Sequence, residues 1–305
     1  MKYSFIINPN SKSGRGGKVW DVVHEELEKR KVDYEYFYTK KPRHAISIAE
    51  ELTSDGMPHN IVVLGGDGTI NEVINGIIHL ENITLGYIPT GSGNDFCRGM
   101  KMTKDPVKAL DVILKGDSIK AIDVGVINRE GRVRRFAVST GIGYDAAICH
   151  QVAISKYKRI LNKLKLGKLS YVFVALNRLY KDEMVKAEVW VDDDESKVFK
   201  NTYFAAVMNN PYEGGGFKFC PKAKADDRKL NAIIISNIAK PIVLMLLPTA
   251  LFGLHVHFKG VTVLEGERFR IKTDRSLPVH VDGEPLYLRK DITVSLEGKQ
   301  LKVFA

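Results

Sequence analysis

The sequence predicts an α/β protein: an N-terminal parallel-sheet domain followed by a second, antiparallel β-rich domain. Three observations carry that reading. From Tyr3 to about Asp123, apolar β-rich runs alternate with longer helical stretches, the pattern of βαβ units. After Val124 the texture changes to short alternating strands, and the glycine-rich turns of the first half fall directly after its strands. A chain of 305 residues, 44% hydrophobic and 27% charged, has room for one large or two medium domains and is not globally disordered.

YSFIIN opens the chain as a strand running into a turn, without the order of a signal peptide. A helix over Lys18 to Lys31 and the strand DYEYFYT follow, then a helix over Ala45 to Thr53, the strand NIVVLGG, a helix over Asn71 to His79, and ITLGYIP. Crossover helices of this length put ligand sites at the carboxyl ends of the strands. VRRFAVST, VKAEVWVD, KVFKNTYFAAVMN, KLNAIIIS, VTVLEGERFRIKT and LPVHVDGE form the second series, interrupted by helical stretches near 144–181 and 240–254. Expected boundaries are 1–124 for the parallel-sheet domain, 125–290 for the β-rich domain, and 291–305 for a C-terminal strand.

Cys97, Cys149 and Cys220 are widely spaced and form no CxxC pair, so neither a disulfide framework nor a cysteine-rich zinc site is expected, and a reducing, cytoplasmic compartment is. None of the eight histidines falls in a ligand pattern, and no hydrolase arrangement of Ser, His and Asp is legible. The net charge of +10 predicts an anionic partner, which composition leaves open among nucleic acid, nucleotide phosphates and an acidic membrane. The apolar run at 241–258 carries Pro241, Pro248, Gly253, His255 and His257, and reads as a buried or interfacial helix rather than a span.

Gly65 to Thr69 spell GGDGT between a buried strand and a helix expected near Asn71. Glycines admit phosphate oxygens close to the backbone, the helix start supplies N–H donors, and Asp67 could reach Mg²⁺ or a bound water. Alone, the motif also reads as a plain strand-to-helix turn. The next strand ends in a second such turn, PTGSGNDF, with Thr90, Gly91, Gly93, Asn94 and Asp95. Two such loops after neighbouring strands suit the several phosphates of a nucleotide triphosphate. INPNSKSGRGGK, with Asn8, lacks Walker A spacing, and its glycines do not make a dinucleotide fingerprint. HVDGEP sets Asp282 and Glu284 two residues apart at a strand end, where one carboxylate could accept a proton and where a solvated hairpin turn would look the same.

Seven motifs together resemble the diacylglycerol kinase catalytic family of bacterial soluble lipid kinases, to which sphingosine and ceramide kinases are related. They are NPNSKSG at 8–14, GGDGTINEVING at 65–76, PTGSGNDFCR at 89–98, IDVG at 122–125, TGIGYDA at 140–146, PKAKADD at 221–227 and HVDGEPL at 280–286. The resemblance implies an N-terminal parallel-sheet nucleotide-binding domain followed by a β-sandwich-like second domain, with the final strand returning to the first domain. It implies an ATP site at Asn8, Thr39, Gly65, Gly66, Asp67, Gly68, Thr69, Asn71, Glu72, Thr90, Gly91, Gly93 and Asn94. Asp67 would sit beside the phosphates and Mg²⁺, Asp95 and Asp123 would belong to the magnesium network, and Asp282 would be the general base with Glu284 in support. A structural Mg²⁺ would be held by Asp227 and the carbonyls of Lys224 and Lys229, although Arg228 stands where glycine is common and Asn231 where aspartate is.

The reaction implied is ATP- and Mg²⁺-dependent phosphorylation of a hydroxyl on a diacylglycerol-like lipid, giving phosphatidic acid or an analogous lipid phosphate. A soluble-substrate kinase of the NAD kinase or phosphofructokinase type, sharing GGDGT, is the alternative. A catalytically weak lipid- or nucleotide-binding regulator is another. Residues 146–181 contain no Asp or Glu but carry Lys156, Lys158, Arg159, Lys163, Lys165, Lys168, Arg178 and Lys181 among recurring apolar residues, which suits anionic headgroups. The partners expected are therefore a lipid substrate and the inner face of the membrane, bound peripherally, with no nucleic acid. The resemblance also admits a homodimer.

Overall fold

The computed structural model describes residues 2–129, 132–154, 183–192 and 194–305. Its first sheet contains β1 (Tyr3–Ile7), β2 (Tyr34–Tyr38), β3 (His59–Gly65), β4 (Ile83–Pro89), β5 (Ile119–Ile122) and the C-terminal β17 (Leu301–Phe304), in the order β2-β1-β3-β4-β17-β5. All pair in parallel except β5, which runs antiparallel to β17. β1 is buried throughout because helices cover both faces of the sheet. Alternation sends Ile6, Ile61 and Val63 into the core on one face, and Phe5, Ile7, Val62 and Leu64 into the core on the other.

Five helices surround this sheet: α1 (Ser11–Lys29), α2 (His44–Leu52), α3 (Asp67–Gly76), α4 (Asp95–Gly99) and α5 (Pro106–Lys115). α5 shows a complete set of boundary signals. Asp105 accepts a hydrogen bond from Lys108 N–H at 2.9 Å, Pro106 occupies the first turn, and Gly116 closes the helix at φ 65°. α3 begins four residues before the predicted Asn71. The N–H groups of Thr69 and Ile70 both bond to the Gly66 carbonyl (2.9 and 3.1 Å), so half of the GGDGT turn is already helix. α1 starts earlier than Lys18 for a different reason: Lys12, Ser13 and Gly14 take left-handed φ values of 45°, 58° and 91°, and a kink separates this first turn from the rest.

The second sheet, eleven strands among the described residues, is antiparallel throughout. It comprises β6 (Gly125–Arg129), β7 (Arg132–Phe136), β8 (Ser139–Gly143), β9 (Val185–Val191), β10 (Lys197–Met208), β11 (Leu230–Ser236), β12 (Val261–Gly266), β13 (Phe269–Leu277), β14 (Val279–Val281), β15 (Glu284–Pro285) and β16 (Arg289–Leu296). Long β10 pairs with β9 through its first half and with β8 and β11 through its second. The register shifts between Phe199 and Thr202, where the strand passes from one layer to the other. Val189, Val207, Ile234, Phe269, Ile271 and Val294 fill the space that the curled sheet encloses.

Two helices interrupt this domain, α6 (Tyr144–Ile154) and α7 (Lys240–Ala250), the latter followed by a 3₁₀ turn at Leu254–His257. The rest of the helical stretch expected up to residue 181, with most of its basic residues, lies outside the described residues. The C-terminal segment expected to return at 291–305 divides: residues up to Leu296 stay in the second sheet as β16, and only Leu301–Phe304 insert between β4 and β5. Arg135 on β7 ties the halves together. Its guanidinium donates to the carbonyls of Ile74 and Ile77 at the C-terminal end of α3 and to Glu297 (2.6 Å).

Candidate active site

The two glycine turns pass each other in backbone contact. A Cβ on Gly91 would stand 2.6 Å from the Cα of Gly66, so only glycine lets the ends of β3 and β4 approach this closely. Thr90 N–H donates to Gly65 O at 2.7 Å, and the Tyr87 hydroxyl donates to the same carbonyl at 3.2 Å. The turn after β1 joins them: Asn8 Nδ2 donates to Thr69 Oγ1 (3.1 Å), and the hydroxyls of Ser11 and Thr90 share a 2.6 Å hydrogen bond. Three strand ends thus converge where α3 begins, with Thr39 beside them, its N–H on Ile7 O at 2.8 Å.

Several residues expected at the nucleotide hold this frame together instead. Thr90 and Asn71 are fully buried, and Thr69 nearly so. Glu72 reaches away from the turns and accepts from the N–H groups of Arg43 (2.9 Å) and Ala45 (3.2 Å), closing the start of α2. Gly66, Asp67, Gly68, Gly91 and Gly93 remain partly exposed.

Asp67 and Asp95 flank Gly93: a Cβ there would lie 3.0 Å from Asp67 Oδ2 and 3.4 Å from Asp95 Oδ2. Asp67 Oδ1 accepts from Phe96 N–H (3.1 Å) in the first turn of α4, and burial raises its carboxyl above the usual range. Asp95 Oδ2 accepts from Gly215 N–H (2.7 Å), while its Oδ1 is buried without a hydrogen-bond partner, 3.8 Å from Arg98 Nε. Burial, reinforced by the Asp67 charge, pushes the Asp95 carboxyl up to about 7. Two adjacent carboxylates, one with an orphaned oxygen, are hard oxygen donors that fit Mg²⁺.

Asp123 departs from the metal role expected of it. Fully buried, it accepts from Arg228 N–H (2.7 Å), Arg228 Nη1 (3.1 Å) and Gln300 Nε2 (3.0 Å), so a guanidinium already neutralises it. Arg228 adopts the left-handed φ of 60° that favours glycine and turns its side chain back onto Asp123 and the Glu297 carbonyl (3.1 Å). In the loop expected to hold a structural cation, Asp227 Oδ1 accepts Lys229 N–H (3.1 Å) and Lys229 Nζ pairs with Glu265 (2.6 Å).

The DGE turn separates its two carboxylates. Asp282, at φ 48°, accepts four hydrogen bonds: Val138 N–H (2.8 Å) and Ser139 N–H (2.9 Å) on Oδ1, Ala137 N–H (2.9 Å) and Asn71 Nδ2 (2.7 Å) on Oδ2. Burial pushes its carboxyl up and the donors pull it back, but no lone pair is left for a substrate proton. Glu284 is exposed, and its Oε1 lies 3.2 Å from where a Gly68 Cβ would stand, over the first turn of α3.

Sequence reasoning missed a third cluster. Nε2 of fully buried His280 lies 3.0 Å from Asp145 Oδ2 and 3.0 Å from Glu213 Oε1. The ligating atoms of all three residues lie within 4.8 Å of one another. Gly283 N–H points at His280 Nδ1 (3.2 Å), and although burial pulls the imidazole down, the Glu213 and Asp145 carboxylates hold it well above its ordinary value. The three residues sit far apart in the chain, and only the motifs TGIGYDA and HVDGEP marked two of them.

Comparison with known proteins agrees with this fold. Residues 2–127 match the diacylglycerol kinase catalytic domain, and residues 138–305 match the YegS C-terminal NAD kinase beta sandwich-like domain. The chain is 30% identical over 292 residues to YtlR of Bacillus subtilis (strain 168), provisionally named a lipid kinase, covering 92% of each chain. It is 28% identical over 283 residues to a diacylglycerol kinase of Staphylococcus carnosus (strain TM300), covering 92% of this chain and 87% of the relative. A crystal structure provisionally titled a diacylglycerol kinase, from Bacillus anthracis str. Sterne, superposes with a TM-score of 0.78 at 24% identity, over 99% of this chain and 97% of that one. The NAD kinase of Archaeoglobus fulgidus in complex with ATP shares the fold at a TM-score of 0.54 and 14% identity, over 100% and 94%.

Proposed function

Because the chain belongs to the lipid kinase family that joins a diacylglycerol kinase catalytic domain to a YegS-type beta sandwich-like domain, we propose that it transfers the γ-phosphoryl group of ATP to a hydroxyl of a diacylglycerol-like lipid. The observation that carries this reading is the position of Glu284, an exposed carboxylate from the second domain held over the phosphate-binding turn of the first. Phosphoryl transfer asks the protein chiefly for positioning, charge neutralisation and a proton acceptor.

Each demand has residues suited to it. Gly66, Gly68, Gly91 and Gly93 open the backbone to the phosphates at the start of α3, where the helix dipole favours negative charge. Asp67 and Asp95 would hold Mg²⁺, which when bound neutralises charge on the transferring phosphoryl group. Glu284 takes the proton of the lipid hydroxyl. Asp282, saturated with donors, positions the turn that carries Glu284, a revision of the base role that the resemblance implied for it. Diacylglycerol as the acceptor, ATP as the donor and peripheral attachment to the inner membrane face belong to this proposal.

Transfer of labelled phosphate from ATP with Mg²⁺ tests it, using a panel of lipids in anionic mixed micelles beside NAD⁺ and sugar phosphates. Label in a lipid product, lost in Glu284→Gln, supports the reading. Label only in a soluble acceptor overturns it in favour of an NAD kinase-like activity on the same fold.

A further inference from the structure

Helix α7 and the 3₁₀ turn after it expose a run of apolar side chains that the fold does not use. Met245 is 74% and Phe252 75% exposed, with Ile242, Leu251, Leu254 and Phe258 between 46% and 54%. Only Leu246 and Ala250 of the helix are buried. Pro241, Met245 and Pro248 recur at helical spacing on one outer face, and Phe252 and Leu254 extend it. Contiguous apolar surface of this kind marks an interaction site.

The face is firmly mounted. Lys218 N–H donates to Ala250 O (2.8 Å), and His255 Nε2 contacts Phe219 O at 3.1 Å. Gly253 packs so closely that a Cβ would stand 2.6 Å from Pro221 Cγ and 3.3 Å from Lys218 Cδ. Lys218 and Pro221 also line a neighbouring cavity of about 680 Å³. Arg98, Lys101, Lys120, Lys218, Lys222 and Lys224 bring six cations to its walls against three carboxylates, one of which is already paired with Lys229. An apolar projection thus stands directly beside a net-positive hollow.

We propose that this surface docks on an anionic lipid bilayer, Met245 and Phe252 entering the acyl boundary while phosphate headgroups occupy the lysine-lined cavity. The choice of a bilayer rests in part on the lipid kinase reading, and otherwise on charge. A second copy meeting this face by two-fold symmetry would bring two basic cavities together. A bilayer supplies apolar and anionic layers side by side. At about 1.5 Å per residue, the eleven residues of α7 reach about 16 Å against a hydrocarbon core of about 30 Å, so the helix lies in the interface. Among the described residues, no helix is long and apolar enough to cross.

Flotation with phosphatidylglycerol–phosphatidylcholine vesicles tests the proposal, using Met245→Asp and Phe252→Asp with melting temperature as the fold control. The expected result is partitioning weakened about tenfold or more, with unchanged transfer to a short-chain, micelle-dispersed diacylglycerol. Phe252→Trp should shift its emission to the blue on adding these vesicles, and less with pure phosphatidylcholine. Wild-type partitioning of both Asp variants, or a blue shift that grows with protein concentration without lipid, overturns the proposal, the latter pointing to a second copy. Vesicle binding lost in the Asp variants with no lipid ever phosphorylated supports docking while the kinase reading falls. Lipid phosphorylation with normal vesicle binding by both variants does the reverse.

Discussion

Asp282 and Asn71, 211 residues apart in the chain, meet in a 2.7 Å hydrogen bond from the Asn71 amide to Asp282 Oδ2. Asn71 also donates to Arg135 O (3.0 Å) and accepts from Arg134 Nη2 (2.6 Å). One asparagine in the second turn of α3 therefore fixes where the DGE turn stands, and with it the reach of Glu284 over Gly68. The contact between the two domains and the position of Glu284 therefore share one hydrogen bond.

Asp282→Asn and Glu284→Gln should consequently fail in different ways. An amide at 282 turns one donor toward Ala137, Val138 or Ser139 and leaves backbone N–H groups unpaired, costing about 1–3 kcal/mol of stability along with activity. Glu284→Gln should leave the melting temperature unchanged and lower kcat about 10²-fold or more. Thermal unfolding and turnover measured on both variants check the pair. A stable, inactive Asp282→Asn would return the base role to Asp282.

Gly91→Ala should force the two phosphate-binding turns apart. The new Cβ would meet the Cα of Gly66 at 2.6 Å and Asn94 Oδ1 at 2.7 Å, and the first of these is backbone that cannot swing aside. The expected cost is about 1–3 kcal/mol, with a weaker calorimetric affinity for ATP than wild type. Unaltered affinity would mean that close contact of the turns is not needed for the nucleotide.

Arg228→Ala should strand the buried Asp123 carboxylate. Removing one partner of a fully buried pair costs about 3–5 kcal/mol, but Arg228 is 44% exposed and Asp123 keeps two other donors, so about 2 kcal/mol is expected. Adding Asp123→Asn should recover part of the loss. Denaturant unfolding of the two single variants and the double variant reads the coupling directly, and strict additivity would rule it out.

His255 should contribute stability that is lost as pH drops below neutrality. Burial lowers its imidazole below the ordinary value of 6.5, against the pull of the Phe219 carbonyl, and its Nδ1 is buried without a partner. Because the folded state holds the ring neutral, its contribution is complete above the unfolded value and is lost as pH falls through 6.5 toward the depressed folded value. The unfolding free energy of the wild type minus that of His255→Gln should decline between pH 8 and 5. An identical slope would exclude His255 as a source.

Much of this molecule was legible in one dimension. The alternating runs marked β1, β3 and β4, the glycine turns marked the ends of β3 and β4, and the ordered motifs pointed to the family that the domain matches support. These signals are local: periodicity reports which face is buried, and glycine reports where backbones must approach. Helix starts were less legible, since Gly66 caps α3 with extended backbone and no side chain to announce it.

By itself the sequence determined the fold class, the glycine turns and the presence of carboxylates in DGE, because each depends on neighbours within a few residues. Tertiary structure decided which carboxylate is free. Asp282 and Glu284 are alike as letters, yet one meets four donors from other elements and the other meets solvent. The same holds for Asp123, whose charge is answered by Arg228 from 105 positions away, and for the apolar run after Pro241, whose residues could as well have been core. Hydrogen-bond saturation and exposure are set by groups that only folding brings within 3 Å, and no local pattern records them.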